Sequence, residues 1–444
     1  MLDRNVPKPW QGRTTLVFSL AAVALGLGNL FRLPWLIGEH GGGPFFLAYV
    51  VFLLIFTVPL MMAEVMVGSF GRSSPLGRLR WAADQSGRTV LWQWLGVFQA
   101  GLALLLAVQL VLVTLWMLDR AVVLQAAELA AASPRDFAAE FVSALKVDAT
   151  EFLGVVGLLL SAGLLAAIGP GLAMGVIGWL ILPAIAVTSI GLADYSLEFG
   201  ALREAEEFLL RRESLDFDFE SAMAALTSAA FTLGAGLGIG AAFGSRAPAG
   251  LPLARSVLAS AVIDTLLMLL LALTVVPLLY AVNVEPTEGA AMVFVLLPYA
   301  FGNLPLGEAY GALFFGATAA AGFAALVAVL EPAVMILRRE LAWPRWLSAI
   351  VVVTLVWLLT IIVARDRAQP LIQLDKGLSL LLPLSFLLMA LFVGWRMPRP
   401  LVRGELYRAP RWLFFAWWML LRWLVPLFCM ALLVWQLWGR AGLQ

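Results

Sequence analysis

From Phe152 to Ala193 the chain runs 42 residues without one Asp, Glu, Lys or Arg. A bilayer core is crossed by about 20 apolar residues in a helix, so this stretch is too long for one crossing. Gly169-Pro170-Gly171 supplies the turn that divides it. The same criterion, applied along the chain, marks about eleven segments: roughly 14–37, 43–70, 89–118, 150–168, 172–193, 219–245, 254–284, 309–337, 346–364, 375–395 and 412–438. The chain is therefore expected to be an all-α polytopic membrane protein with about eleven transmembrane helices. Composition agrees, with 62% of the 444 residues hydrophobic, 13% charged and a mean hydropathy of +0.95. Soluble domains carry about 25% charged residues, so a soluble enzyme, a disordered chain and a nucleic-acid binder are excluded. One cysteine, Cys429, allows no intrachain disulfide, and one histidine, His40, leaves little material for a metal cluster or a histidine base. His40 is expected to play a structural part in its loop.

Basic residues fall in alternate connections, in the order Arg4, Lys8 and Arg13, then Arg72, Arg78 and Arg80, then Arg246 and Arg255, then Arg338 and Arg339, then Arg399, Arg403 and Arg408. Short cytoplasmic loops are enriched in Lys and Arg, which places these connections and the N-terminus in the cytoplasm. An odd number of spans then leaves the C-terminus outside, in a cell (inner) membrane.

Two of the segments contain sequences that a continuous helix would not choose. The first reads Ala24-Leu25-Gly26-Leu27-Gly28-Asn29-Leu30-Phe31-Arg32-Leu33-Pro34, and the sixth reads Phe231-Thr232-Leu233-Gly234-Ala235-Gly236-Leu237-Gly238-Ile239-Gly240. Glycine costs about 1 kcal/mol relative to alanine inside a helix. Unwound backbone at membrane depth survives only where protein or a water-filled cavity satisfies it. Two breaks, five spans apart, point to a transporter built from inverted repeats. Small residues that merely let helices approach closely are the competing explanation for either segment alone.

The run from Gly26 to Gly43, GLGNLFRLPWLIGEHGGG, continuing into PFFLAYVVFLLIFTVPLMMAEVMVG, resembles the first two helices of the neurotransmitter:sodium symporters. Further similarity follows at LEFGALREAEEFLL, at FTLGAGLG and at MVFVLLPYAFGNLPLGEAYGALFF. The resemblance implies a LeuT-like five-plus-five inverted repeat with helices 1 and 6 unwound. Repeat one would cover roughly 14–193, repeat two roughly 219–395, and an extra helix roughly 412–438, all within a single transmembrane transporter domain.

The resemblance also implies a site. Its first sodium position falls on the Ala24 carbonyl, Asn29, Thr232 and Asp264, the last standing where similar proteins usually carry Asn. An intramembrane carboxylate is costly unless a cation neutralises it or it takes a proton. The second sodium position falls on Ala22, Leu25, Ala321, Ala324 and Ala325. Two hydroxyl residues of the family are alanines here, which degrades that site and leads to an expectation of one Na+ rather than two. Substrate-lining positions implied by similarity are Val23, Ala24, Leu27, Gly28, Leu106, Leu110, Phe231, Thr232, Gly234, Leu237, Ala325 and Val329. Leu110 replaces a family tyrosine, and Gln109 beside it is about 100° round the helix. An outer gate would comprise Arg32, Asp375 and the Phe231 lid. The inner gate would use Trp10, although the family's acid position reads Arg339 with Glu340 next to it. Glu64 and Glu331 are intramembrane acids, to be explained either by function or by satisfying internal backbone groups.

The functional expectation is a sodium-coupled symporter, not an enzyme. It would import an amino acid with a small or hydrophobic side chain by alternating access, as a monomer or homodimer in the lipid bilayer with no nucleic-acid partner. Two alternatives stand beside it: a proton-coupled transporter of a small organic acid or other solute using Asp264, and a non-transporting solute sensor of the same fold.

Overall fold

The computed structural model describes residues 10–27, 29–70, 74–125, 149–209, 217–248, 250–287, 289–365, 368–406 and 408–440, without the side chains of 29–32, 149–151, 365, 368–372, 405 and 440. Helices account for nearly all of it. In chain order they are α1 (Arg13–Gly26), α2 (Asn29–Glu39), α3 (Gly43–Ser69), α4 (Pro75–Gln85), α5 (Val90–Gln125), α6 (Ala149–Ile168), α7 (Pro170–Phe199), α8 (Leu202–Leu209), α9 (Phe219–Phe231), α10 (Ile239–Gly244), α11 (Leu253–Ala281), α12 (Met292–Gly302), α13 (Gly307–Glu340), α14 (Arg345–Arg365), α15 (Ala368–Leu391), α16 (Arg399–Glu405) and α17 (Arg411–Gly439).

Eight helices among the described residues are long and apolar enough to span a membrane. Three expected segments are not among them. The fourth is the shorter apolar helix α6, and the first and sixth are each split in two, at α1/α2 and α9/α10. The interruptions fall where paired glycines had placed them. One apolar helix, α12, was read from the sequence only as part of the connection into the eighth span. The segment that follows it is held by α7, where the Tyr195 hydroxyl donates to the Pro305 carbonyl at 2.9 Å and the Tyr195 ring stacks on Tyr310 of α13 at 4.3 Å.

The long helices α5 and α13 make the most extensive contact in the molecule, and α1 is wedged among α7, α11 and α13. Small residues explain how closely it sits. A Cβ on Gly178 of α7 would come within 2.8 Å of the Ser19 nitrogen, and Ser19 donates to the Met174 carbonyl at 2.9 Å. Close backbone approach of this kind takes the place of hydrophobic driving force between helices in lipid. The outward faces of α6, α7, α14 and α17 carry exposed Leu, Val, Ile and Trp, as lipid contact requires.

Candidate functional site

The two interruptions meet. Helix α1 ends in a tight turn in which the Leu27 amide donates to the Ala24 carbonyl at 3.1 Å. Gly26 is required by proximity: a Cβ there would run into the Ala321 carbonyl of α13 and lie 2.8 Å from the Ala325 side chain. Between α9 and α10 the reason is conformational, because Gly234, Gly236 and Gly238 adopt φ of 66°, 76° and 75°, the left-handed region that side chains disfavour. A Cβ on Gly234 would lie 2.6 Å from the Leu27 side chain, so the two interruptions touch.

Bared backbone at the second interruption is satisfied from neighbouring helices. The Gly236 amide donates to Glu64 Oε2 of α3 at 2.8 Å, and Ser385 Oγ of α15 donates to the Gly236 carbonyl at 2.7 Å. Glu64, fully buried, therefore closes a nest of amides and has a structural task.

Beside this junction lies a carboxylate that the described residues leave unsatisfied at both oxygens. Asp264 of α11 is fully buried, and neither carboxylate oxygen has a hydrogen-bond partner among the described residues. Four residues earlier on the same face, Ser260 donates to the Val17 carbonyl of α1 at 3.1 Å, which turns Asp264 towards α1 one turn further along. The Tyr49 hydroxyl is the hub of its surroundings. It lies 3.1 Å from Thr232 Oγ1 at the end of α9, and Asp264 and Thr265 are its electrostatic neighbours. Thr232 also donates to the Ser228 carbonyl at 2.9 Å. A buried ionised carboxylate costs several kcal/mol unless a cation compensates it. The Asp264 carboxylate and the Tyr49 and Thr232 hydroxyls are oxygen donors, the type that a hard cation takes. The Asn29 side chain, expected to join them, lies outside the described residues.

A cavity of about 470 Å³ opens above the junction. Of the expected lining positions, Leu27, Leu106, Leu110, Phe231, Gly234 and Leu237 face it. Val23, Ala24, Thr232, Ala325 and Val329 are buried outside its wall, and Gly28 lies outside the described residues. Gln109, Thr114, Thr227, Ser228 and Thr318, which the sequence reading did not assign, add polar groups to it. Thr114 is buried with its hydroxyl unpartnered among the described residues, facing Gly322 across a gap that a Cβ would close to 2.5 Å. At the mouth Gln109 Nε2 donates to Asp375 Oδ1 at 3.3 Å, beside Lys376. Phe231 packs against Phe386 with ring centroids 6.4 Å apart. The Arg32 side chain lies outside the described residues.

The opposite end is shut. Trp10, 2% exposed, donates its backbone amide to the Arg246 carbonyl at 2.8 Å and its indole N–H to the Phe243 carbonyl at 2.9 Å, with its ring edge-on to Phe243. Buried Arg78 of α4 donates to the Ala241 carbonyl. Burial, with Arg339 and Arg246 nearby, lowers its pKa to about 9. Burial likewise lowers Arg246 to about 10 against the pull of Glu331. Glu331 pairs with Arg246 at 3.8 Å and with Arg345, while Glu340 accepts from Ser74 Oγ at 2.6 Å. Charge at this end is thus organised around Glu331. Lys8 is outside the described residues, and Arg13 donates to the Arg255 carbonyl at 3.0 Å. His40 has the structural part expected, 3.2 Å from Ser221 Oγ and stacked on Phe45.

Trp10→Ala is expected to unseal this end. A cysteine placed at Ala242 in that variant should react with a membrane-impermeant thiol reagent applied from the Trp10 side at least tenfold faster than in the parent, about 1.4 kcal/mol of gate stability. The native Cys429 is buried and gives little background.

The model of the Sodium:neurotransmitter symporter family matches residues 7–117, which include the first interruption and Tyr49. Over 444 aligned residues the chain is 26% identical to an uncharacterized sodium-dependent transporter, YhdH, of Bacillus subtilis, covering 96% of this chain and 97% of that one. It is 25% identical to another, MJ1319 of Methanocaldococcus jannaschii, over 73% of this chain and 68% of that one. In three dimensions it is similar to the crystal structure of MhsT in complex with L-phenylalanine, with a TM-score of 0.85, 24% identity and coverage of 96% and 99% of the two chains. That likeness confirms the LeuT-like fold. The family model covers the first interruption, one sodium-dependent transporter aligns along nearly the whole chain, and the fold is shared: this multi-pass membrane protein has a LeuT-like fold and is similar to the sodium:neurotransmitter symporters.

Proposed function

We propose that the protein is a sodium-coupled symporter that carries one Na+ with an amino acid bearing a small or hydrophobic side chain. The observation that carries this reading is Asp264, a buried carboxylate without a hydrogen-bond partner among the described residues, beside the junction of two interrupted helices. Na+ there would neutralise Asp264 and draw ligands from Thr232, the Ala24 carbonyl and Asn29. The solute would occupy the adjoining cavity, whose wall is mostly apolar, with its carboxylate towards the ion. Filling the site would favour closure at Gln109, Asp375 and Phe231 and release of the Trp10 seal, and the membrane potential contributes about 2.3 kcal/mol per charge per 100 mV. The cavity mouth at Asp375 faces outward and the Trp10 end faces the cytoplasm in this reading. MhsT, of the same fold, is described with L-phenylalanine bound, which supports an amino-acid cargo. Because a carboxylate can also take up a proton, proton coupling through Asp264 is the second reading.

A thermal-shift screen of amino acids and small organic acids, with and without sodium, tests the proposal. An apolar amino acid is expected to stabilise the protein only in sodium, since stabilisation grows as RT ln(1 + [L]/Kd). Stabilisation indifferent to sodium but dependent on pH would favour the proton reading. Stoichiometry gives a further prediction. Ala324 and Ala325 present no hydroxyls at the second ion position, so the sodium dependence of uptake should have a Hill coefficient of about 1, and Ala324→Thr with Ala325→Ser should raise it towards about 2.

A further inference from the structure

The corner where α15, α16 and α17 meet carries more positive charge than its own residues can balance. Between Trp395 and Leu424 there are six arginines, one acid, Glu405, and five tryptophans. Arg399 and Arg422 lie over the same ring, with guanidinium carbons 3.8 and 4.7 Å from the Trp418 centroid. Two like charges are thereby held within roughly one Debye length, about 8 Å at physiological salt. Arg422 is further enclosed by Trp395 at 4.4 Å and Trp423 at 5.8 Å, and its Nε is buried with no hydrogen-bond partner among the described residues. Indole rings attract cations but supply no countercharge. The site is built: a Cβ on Gly394 would lie 3.1 Å from the Arg422 Cα, and Trp395 Nε1 donates to the Arg422 carbonyl at 2.8 Å, so the π-helical turns Phe392–Arg396 and Leu420–Leu424 lock together.

Its depth is also informative. The 29 residues of α17 extend about 44 Å at 1.5 Å per residue, whereas a hydrocarbon core is about 30 Å thick. Counted back about 20 residues from the charged far end at Arg440, the helix leaves the hydrocarbon near Leu420. Arg422 thus sits at the boundary where lipid phosphates lie and where tryptophans concentrate.

We propose that this corner binds the phosphate of an anionic phospholipid. The phosphate would bridge the guanidinium groups of Arg399 and Arg422, whose planar forks suit it and whose positions the indoles already hold. Arg396 and Arg411, both exposed, add attraction at the rim, and the exposed side chains of Phe415, Met419 and Trp423 give the acyl chains an apolar wall. Nothing in this proposal depends on the transported solute.

The test is native mass spectrometry of the full-length protein released from micelles containing phosphatidylglycerol and phosphatidylcholine with identical acyl chains. The protein is expected to retain phosphatidylglycerol about tenfold over phosphatidylcholine. The exposed triple variant Arg396→Gln, Arg399→Gln, Arg411→Gln should lose that preference, and Arg422→Lys, which keeps charge without the fork, should weaken it. Arg203→Gln, at an exposed site on α8, should leave it intact. Equal retention of the two lipids, undiminished preference in the triple variant, an equal loss in Arg203→Gln, or displacement of the lipid by inorganic phosphate at matched ionic strength would each overturn the proposal.

Discussion

Asp264→Ala is expected to reduce sodium-dependent solute uptake about 100-fold, equivalent to about 2.8 kcal/mol, while making the sodium-free protein harder to unfold. Both effects have one cause. The wild-type carboxylate is fully buried and both its oxygens lack partners among the described residues, so the ion-free fold bears a charge that these residues do not compensate, or must neutralise it. Removing that group relieves the ion-free state and deprives the cation of its only charged ligand among the described neighbours. Sodium should accordingly raise the melting temperature of the wild type and leave that of Asp264→Ala unchanged. Asp264→Asn separates the two couplings. Retained, weaker sodium dependence identifies Asp264 as an ion ligand, whereas loss of a pH-gradient-driven flux identifies it as the proton carrier. Unchanged sodium stabilisation in Asp264→Ala would remove Asp264 from the site.

The second large effect is expected at Glu64, through architecture and not through the ion. Its carboxylate accepts the Gly236 amide, and the amides of Gly238, Gly240 and Ala241 also lie within its reach. An unpaired buried donor costs about 1–3 kcal/mol, so Glu64→Ala should lose at least that amount from more than one amide, read as a sharply lower melting temperature and yield. Glu64→Gln keeps one acceptor oxygen and should recover part of the loss. The mutation is informative because Glu64 does not itself line the cavity. Solute affinity measured in the surviving Glu64→Gln protein should change less than stability, and a selective loss of solute binding with normal stability would contradict the structural assignment.

How much of this was legible in the sequence follows from where the information resides. Uncharged runs and glycine pairs are local, and they located the segments and both interruptions. The junction depends on long-range neighbours. Tyr49 reads as one more aromatic in the apolar run of α3, and Ser385 as a small polar residue in α15; only folding brings them to Thr232 and Gly236, 183 and 149 residues away. Gln109 was set aside because it points about 100° from Leu110 on an ideal helix, yet its long side chain reaches Asp375 at the mouth. Glu331 was ambiguous as a lone acid, since its partners Arg246 and Arg345 come from two other elements. Positions taken from resemblance fared unevenly against the cavity: Leu106 and Leu110 line it, whereas Ala325 and Val329 are covered by neighbouring helices.

The most direct measurement is the movement of radioactive sodium into proteoliposomes when only an outwardly applied gradient of the solute drives it. If two interrupted helices hold ion and solute as a single cargo, sodium enters with the solute in a ratio of about 1:1 and Asp264→Ala abolishes both fluxes. Solute entry without sodium, or sodium entry that ignores the solute, would contradict a shared site at the junction.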